Sequence, residues 1–266
     1  MELQALLKQI DTTKAWISDK RPLAPKEVKE LDAYFRIGTT YTSNALEGNT
    51  LTLTETKVLL EDGLTAGGKP LRDSYEAMGH ASAYDYMLKA AHSEPFAYSE
   101  DMVINLHKLF YQKIDEKAAG IYRDIQVFIT GTEYIPPPAY EVPALMKELS
   151  DEIKNKWDSA HTVSLAAYAH QRLVDIHPFE DGNGRTARLL MNLILINKGY
   201  QIVSIPPVMR QEYIAAIIKG RRSGSKVGGA LANFIAECEI EAQKDFCRMF
   251  HIKPPKIGVD FYRGRG

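Results

Sequence analysis

The densest group of reactive side chains in the sequence lies between residues 175 and 188. It includes a histidine, His177, followed closely by two acidic residues, Glu180 and Asp181. A histidine titrates near neutral pH and can accept a proton from a hydroxyl group. A carboxylate, here from Asp181 or Glu180, can bind Mg²⁺ together with water and substrate phosphates. These residue types are suited to phosphoryl-type transfer to a hydroxyl.

An anion site is predicted directly after these acids. Gly182 and Gly184 flank Asn183 and allow backbone torsions that turn successive N–H groups towards one point, where a helix also begins. Arg185 and Arg188 are three residues apart, so they share one face of that helix. Two cations at a helix N-terminus oppose the macrodipole, an arrangement that makes sense if a polyanion binds between them. A phosphate chain fits.

Two helices are predicted to position this stretch. Residues 164–174 are rich in helix formers, and Pro178 disfavours a helical conformation at His177, so the first helix should end there. Residues 189–196 are almost entirely apolar, too few to span a bilayer, and are followed by a cap at Gly199. They predict a buried central helix. Each feature alone has an ordinary structural explanation, since a histidine often only hydrogen-bonds at a helix end and a Gly-Asn-Gly is often only a turn.

Residues 177–188 resemble the signature of the Fic family, His-x-Phe-x-Asp/Glu-Gly-Asn-Gly/Lys-Arg-x-x-Arg, at every defined position. The resemblance implies an all-α, Fic-type helical fold with a small β-hairpin flap over the active site. It implies transfer of AMP from Mg²⁺-bound ATP to a Ser, Thr or Tyr hydroxyl of a target protein. Glycine at position 184, where the phosphotransferring Doc branch has lysine, favours nucleotidyl transfer.

The same resemblance implies a role for each motif residue. His177 is expected to be the general base, Asp181 the Mg²⁺ ligand and Phe179 a core anchor for the loop. Arg188 is expected to reach the γ-phosphate. The expected phosphate-binding residues are Gly182, Asn183, Gly184, Arg185 and Arg188.

An N-terminal segment is expected to inhibit this site. A helical pattern runs from Lys26 towards Leu46 and places Ser43 and Glu47 on one face. Glu47 lies in the last turn, where the macrodipole disfavours an acid by roughly 0.3–1 kcal/mol unless a cation pairs with it. Residues 43–48 are similar to the inhibitory motif of Fic proteins, Ser/Thr-x-x-x-Glu-Gly/Asn. The similarity implies that Glu47 pairs with Arg188 and displaces the γ-phosphate, as in the class that carries its inhibitory helix in its own N-terminal region.

Two further predictions concern substrate contacts. Residues 127–138 contain a β-branched run, a glycine-containing turn and a second run stopped by prolines, which predicts a hairpin, with a structural loop as the alternative. As the flap of a Fic protein it would dock the target peptide by strand-like pairing. Tyr213 could stack on an adenine, or belong to the core. The expected target-docking residues are Thr130, Gly131, Thr132, Glu133 and Tyr134.

Composition limits the other classes. The 266 residues are 45% hydrophobic, with 33 basic and 34 acidic residues and a net charge of −1, so a nucleic-acid binder is not expected. No membrane span and no signal peptide are predicted, and Cys238 and Cys247 are about 13 Å apart along one predicted helix, too far for a mutual disulfide. We expect a cytoplasmic protein. A homodimer is left open.

The expected organisation is an N-terminal helical region with the inhibitory motif at residues 1–95, a Fic catalytic core at 96–250 and a loosely held tail at 251–266. The expected function is autoinhibited protein adenylyl transfer, including self-modification, with Mg²⁺ and ATP. Three alternatives remain: removal of AMP from a modified protein, use of another nucleotide, and a catalytically silent nucleotide-binding regulatory module.

Overall fold

The computed structural model describes residues 2–19, 23–129 and 132–255. In these residues it contains ten α-helices and two short 3₁₀ helices, the latter at Ala139–Glu141 and Pro207–Met209. The α-helices are α1 (Leu3–Ser18), α2 (Pro25–Ala45), α3 (Leu53–Asp62), α4 (Leu71–Ala91), α5 (Glu100–Tyr111), α6 (Val142–Lys156), α7 (Thr162–Ile176), α8 (Asn183–Asn197), α9 (Arg210–Arg222) and α10 (Ala230–Met249).

Helices α7 and α8 form the centre of the molecule. Residues 185–195 of α8 are buried without interruption, and from Leu189 onwards all of them except Asn192 are apolar. It packs against α7, α4 and α5, while α7 packs against α6 and α10 on its other sides. The predicted buried central helix is confirmed. The His177 loop therefore lies between the two best-buried helices, a rigid setting for a reactive site.

The predicted β-hairpin flap is wrong: the described residues around it form no strand. Pro136, Pro137 and Pro138 lack the N–H that a ladder needs. Side chains instead satisfy the carbonyl groups of this segment. Arg123 donates to the carbonyl of Pro137 at 2.5 Å, and Gln126 donates to that of Pro136 at 3.1 Å. Thr130 and Gly131 lie outside the described residues.

The two ends of the described chain pack together. Helix α1 lies along α10, and the Trp16 indole donates to the carbonyl of Lys253 at 2.9 Å. Ile252 packs against a small cluster that includes Ile17 and Phe246. Of the tail predicted to be loosely held, Ile252 and Lys253 thus contact α1, and residues 256–266 lie outside the described part.

Two further predictions concern membrane-spanning helices and the two cysteines. No helix in the described ranges is long and apolar enough to cross a membrane. Cys238 and Cys247 are both buried free thiols on α10.

Helices α4 and α5 approach so closely at Gly79 that no side chain fits there. A Cβ at Gly79 would lie 2.0 Å from the carbonyl oxygen of Phe110, which is backbone and cannot swing away. Gly38, in α2, has nothing within 4 Å of the same position. The two positions form a matched pair of helical glycines.

We expect Gly79→Ala to lower the free energy of unfolding by about 1–3 kcal/mol, because the helices must separate. Gly38→Ala should raise it by about 0.5–1 kcal/mol, because alanine is the better helix former. Urea denaturation followed by circular dichroism measures both. Equal stability of the two variants would contradict the close approach of α4 and α5.

Candidate active site

The candidate base, His177, lies where α7 stops. It adopts a left-handed conformation, φ 53° and ψ 58°, and its N–H donates to Leu173. Pro178 explains the stop, because a residue before proline avoids the helical region. Nδ1 lies 3.3 Å from the Val174 carbonyl, so a proton on Nδ1 leaves Nε2 free to accept one. Burial lowers the pKa of His177, with the contact to Val174 opposing the shift.

Arg123 fixes the backbone on both sides of this histidine, although the sequence motif does not include it. Its side-chain Nε donates to the His177 carbonyl at 2.8 Å, and its backbone N–H donates to the Pro178 carbonyl at 2.9 Å. The residue is only 3% exposed. Because its partners are more than fifty positions away, no local pattern identifies it.

The loop between His177 and α8 is closed by its own side chains. Asn183 donates to the carbonyl of Phe179 at 2.8 Å and accepts from its N–H at 2.9 Å. Phe179 is fully buried and stacks on His107 with ring centroids 3.7 Å apart. His107 accepts from Gly120 N–H through Nδ1 and so donates through Nε2 to the carbonyl of Asp181 at 3.1 Å. The predicted anchor role of Phe179 is confirmed, and His107, which the motif does not include, supports the loop.

The predicted anion site lies at the N-terminus of α8. Gly182 has φ 80°, and a Cβ there would lie 2.8 Å from the Phe110 ring. Only glycine satisfies both conditions. At Gly184 a Cβ would lie 2.2 Å from Oε1 of Glu47. The carboxylate of Glu47 therefore sits directly over the position where the sequence predicts phosphate.

Arg188 is held by partners from two distant helices. Its Nη2 donates to Oε1 of Glu47 at 2.8 Å and to the carbonyl of Ser43 at 2.8 Å. Its Nε donates to the Ser43 hydroxyl at 2.9 Å, and Nη1 donates to the Tyr213 hydroxyl at 3.2 Å. The structure thus brings Ser43 and Glu47 onto Arg188, 141 residues away from Glu47.

The charges around this contact favour an ionised Glu47. Burial alone would raise the pKa of Glu47, but Arg188 and Arg185 outweigh it and hold the pKa below its ordinary value. The Glu47 side chain remains 36% exposed, whereas that of Arg188 is 4% exposed. The arginine is buried in the protein, and the glutamate is partly open to solvent.

Tyr213 lies behind Arg188. It is 3% exposed, and its hydroxyl lies 2.7 Å from Nε2 of His170. Burial lowers the pKa of His170 to about 3, with the charge of Arg188 acting in the same direction, so His170 accepts a hydrogen bond as a neutral ring. The tyrosine ring faces the core, the second of the two environments considered for it.

Asp181, the candidate metal ligand, is surrounded by cations. Its carboxylate lies 2.6 Å from Arg72 of α4 and 3.3 Å from Arg185 of α8. Arg185 also contacts Glu76 at 3.0 Å. Within the described ranges no group of three or more histidine, cysteine or acidic residues could hold a metal ion. A single carboxylate suits Mg²⁺ that arrives with substrate phosphates.

The segment predicted to dock a target lies beside α7. The hydroxyl of Tyr134 donates to the carbonyl of Asp175 at 2.8 Å, and the Arg221 guanidinium lies 3.7 Å from its ring centroid. The N–H of Tyr134 donates to the Thr132 hydroxyl at 3.1 Å. Glu133 is exposed. Tyr134 is thus held against Asp175, which lies two residues before His177 along the chain.

Comparison with known proteins identifies the family of this chain. A family model described as Fic/DOC family matches residues 97–195. A Fic domain containing signaling protein from Bacteroides thetaiotaomicron superposes with a TM-score of 0.79 and 30% identity, covering 90% of this chain and 95% of that one. Fic-1 (residues 134–508) from C. elegans gives a TM-score of 0.83 and 26% identity over 94% and 74%. With its fold, its signature and these matches, this chain belongs to the Fic/DOC family.

Longer relatives share the same region. "Protein adenylyltransferase Fic" of Drosophila willistoni is 34% identical over 208 residues, which are 78% of this chain and 40% of that protein. The protein of that name from Nematostella vectensis is 33% identical over 208 residues, 78% of this chain and 47% of that protein. This chain therefore spans less than half the length of these relatives.

The geometry of His177 makes a measurable prediction. Burial disfavours the imidazolium ion, so we expect His177 to lose its proton at a pH below the ordinary midpoint of about 6.5. NMR titration of histidine-labelled protein measures this, with the resonance assigned by its loss in His177→Gln. A midpoint at or above 6.5 would contradict the buried, neutral base described above.

Proposed function

We propose that this protein is an adenylyltransferase that moves AMP from ATP to a Ser, Thr or Tyr hydroxyl of a protein and is held inactive by Glu47. The observation that carries the proposal is the convergence of a histidine with a free Nε2, an anion-binding helix N-terminus and two buried arginines on one loop. A protein that only bound nucleotide would need the last two but not a base.

The proposed reaction uses groups whose positions are known. Nε2 of His177 accepts the proton of the target hydroxyl as its oxygen bonds to the α-phosphorus of ATP. The bond from that phosphorus to the oxygen bridging to the β-phosphate breaks, and pyrophosphate leaves. The N–H groups at the start of α8, with Arg185, face the charge that develops. Mg²⁺, when bound with the nucleotide, would neutralise phosphate charge, with Asp181 as its protein ligand.

The proposed inhibition follows from charge. A γ-phosphate that reaches for Arg188 meets the carboxylate of Glu47 already bound to it and placed over Gly184. Two anions cannot share this arginine without repulsion. ATP would therefore bind with its phosphates displaced from the in-line geometry that the transfer needs. In this proposal residues 1–95 supply inhibition and residues 96–250 supply catalysis.

The relatives and the neighbouring segment support the proposal. Two relatives that share 208 aligned residues with this chain carry the name protein adenylyltransferase Fic. Tyr134 and Thr132, held next to α7, are suited to guide a target side chain towards His177. The adenine contact considered for Tyr213 would require its buried ring to become accessible, so we propose instead that Tyr213 orients Arg188.

A second activity is favoured by the position of Glu47. Its carboxylate is 36% exposed and lies over the anion site, where it could orient a water molecule against an AMP-modified side chain. The same pocket would then remove AMP when Glu47 is in place and add AMP when Glu47 is withdrawn.

We expect Glu47→Gly to increase self-modification by AMP at least tenfold, because Arg188 becomes free to hold the γ-phosphate. Glu47→Gly/His177→Ala should show none, because no group then accepts the hydroxyl proton. Intact-protein mass spectrometry after incubation with Mg²⁺ and ATP measures both.

Glu61→Gly, in the last turn of α3, controls for introducing a glycine and should behave as wild type. Added AMP that survives the His177 substitution would refute the assignment of the base. Glu47→Gly protein that stays unmodified, and that also fails to modify peptide hydroxyls or to release AMP, would refute the proposed activity.

A further inference from the structure

Arg72 is the cation closest to the carboxylate of Asp181, and neither the family motif nor the proposed reaction includes it. It comes from the first turn of α4, 109 residues away in sequence. Its Nη2 lies 2.6 Å from Oδ2 of Asp181. The contacts of Arg185 to the same carboxylate are longer, at 3.3 and 3.5 Å. Arg72 is therefore the main cation at the proposed metal ligand.

Glu76 joins this contact to the rest of the site. One of its carboxylate oxygens accepts from Nε of Arg72 at 3.1 Å and lies 3.0 Å from Nη1 of Arg185. The other accepts from Asn49 at 2.9 Å, two residues beyond Glu47. Arg72, Glu76, Arg185 and Asp181 thus form a set of two cations and two anions that is neutral without any bound ion.

Exposure separates the two cations of this set. The side chain of Arg185 is 4% exposed, and that of Glu76 is 8% exposed. The side chains of Arg72 and Asp181 are 55% and 41% exposed. A buried arginine cannot leave its anion without a large desolvation penalty, whereas the two ions of an exposed pair separate at little cost. Arg72 is the cation that can move.

We propose that Arg72 is a built-in counter-ion that occupies the divalent-cation position at Asp181, so that Mg²⁺ binds there only by displacing it. Mg²⁺ requires direct bonds of about 2.0–2.1 Å to its oxygen ligands. Arg72 neutralises charge on the Asp181 carboxylate and takes one acceptor position of Oδ2 at 2.6 Å, so a divalent cation at the same oxygen meets both the charge and the bulk of the guanidinium. When Arg72 leaves, its Nε contact to Glu76 can keep it near the site. Arg72 then sets how much Mg²⁺ the nucleotide complex requires.

This inference rests on the proposed function only in taking Asp181 as the metal ligand. Its test uses ADP, because ADP lacks the γ-phosphate with which Glu47 competes. Isothermal titration gives the dissociation constant of ADP in EDTA and in saturating Mg²⁺, and the ratio of the two constants measures the contribution of the metal. No turnover is needed.

We expect Arg72→Gln to increase this ratio by about threefold to fivefold, through tighter binding in Mg²⁺ and not weaker binding in EDTA, as removal of an exposed competing ion pair predicts. Arg36→Gln is the matched control, since Arg36 contacts Asp85 of α4 at 2.7 Å outside the site. It should leave the ratio unchanged. In an Asp181→Asn background, Arg72→Gln should have no effect on the ratio.

Several outcomes overturn the inference. An unchanged or smaller ratio in Arg72→Gln would show that Arg72 does not compete with the metal. A rise that comes only from weaker binding in EDTA, or that persists with Asp181→Asn, would make Arg72 a phosphate ligand instead. If the wild-type protein binds ADP in neither condition, the nucleotide site of the proposed function fails together with the inference.

Discussion

This site depends on one buried cation, Arg188, which requires an anionic partner. The Arg188 side chain is 4% exposed, and a buried guanidinium is tolerable only when its donors are hydrogen-bonded and its charge is balanced by an anion. Ser43 and Tyr213 satisfy donors without supplying charge. Glu47 supplies the charge from a position over Gly184. In the proposed function, Glu47 and the phosphates of a nucleotide are alternative anionic partners of Arg188.

Two buried histidines also lie near Arg188. His80 and His170 lie close enough for its charge to act on them, and burial together with that charge lowers the pKa of each to about 3. Both rings stay neutral, so they add hydrogen-bonding capacity but no competing charge. The loop itself is held by side chains of Arg123, His107 and Asn183 that donate to its backbone carbonyls. A change of ligand at Arg188 can thus occur on a fixed frame.

Local spacing explains what the sequence predicts well. The end of α7 at His177 and the buried run of α8 both follow from residues within a few positions of one another. The pairing of Glu47 with Arg188 came from resemblance to a family motif, since 141 residues separate them. The hairpin prediction was wrong for a different reason. Its β-branched residues favour strands, but the prolines lack N–H donors and Arg123 binds the carbonyls of Ile125 and Pro137. Arg72, Glu76 and His107 were missed because only the fold brings them to the loop.

The central claim is that Glu47 occupies the place of the γ-phosphate, and nucleotide affinity tests it most directly. Isothermal titration of wild type and Glu47→Gln with ATP and with ADP, all without metal, compares binding with and without that phosphate at constant side-chain size. The account predicts that ATP gains at least tenfold over ADP when the carboxylate is neutralised, because Arg188 then pairs with the γ-phosphate. An equal preference for ATP over ADP in the two proteins would show that Glu47 and the γ-phosphate do not compete.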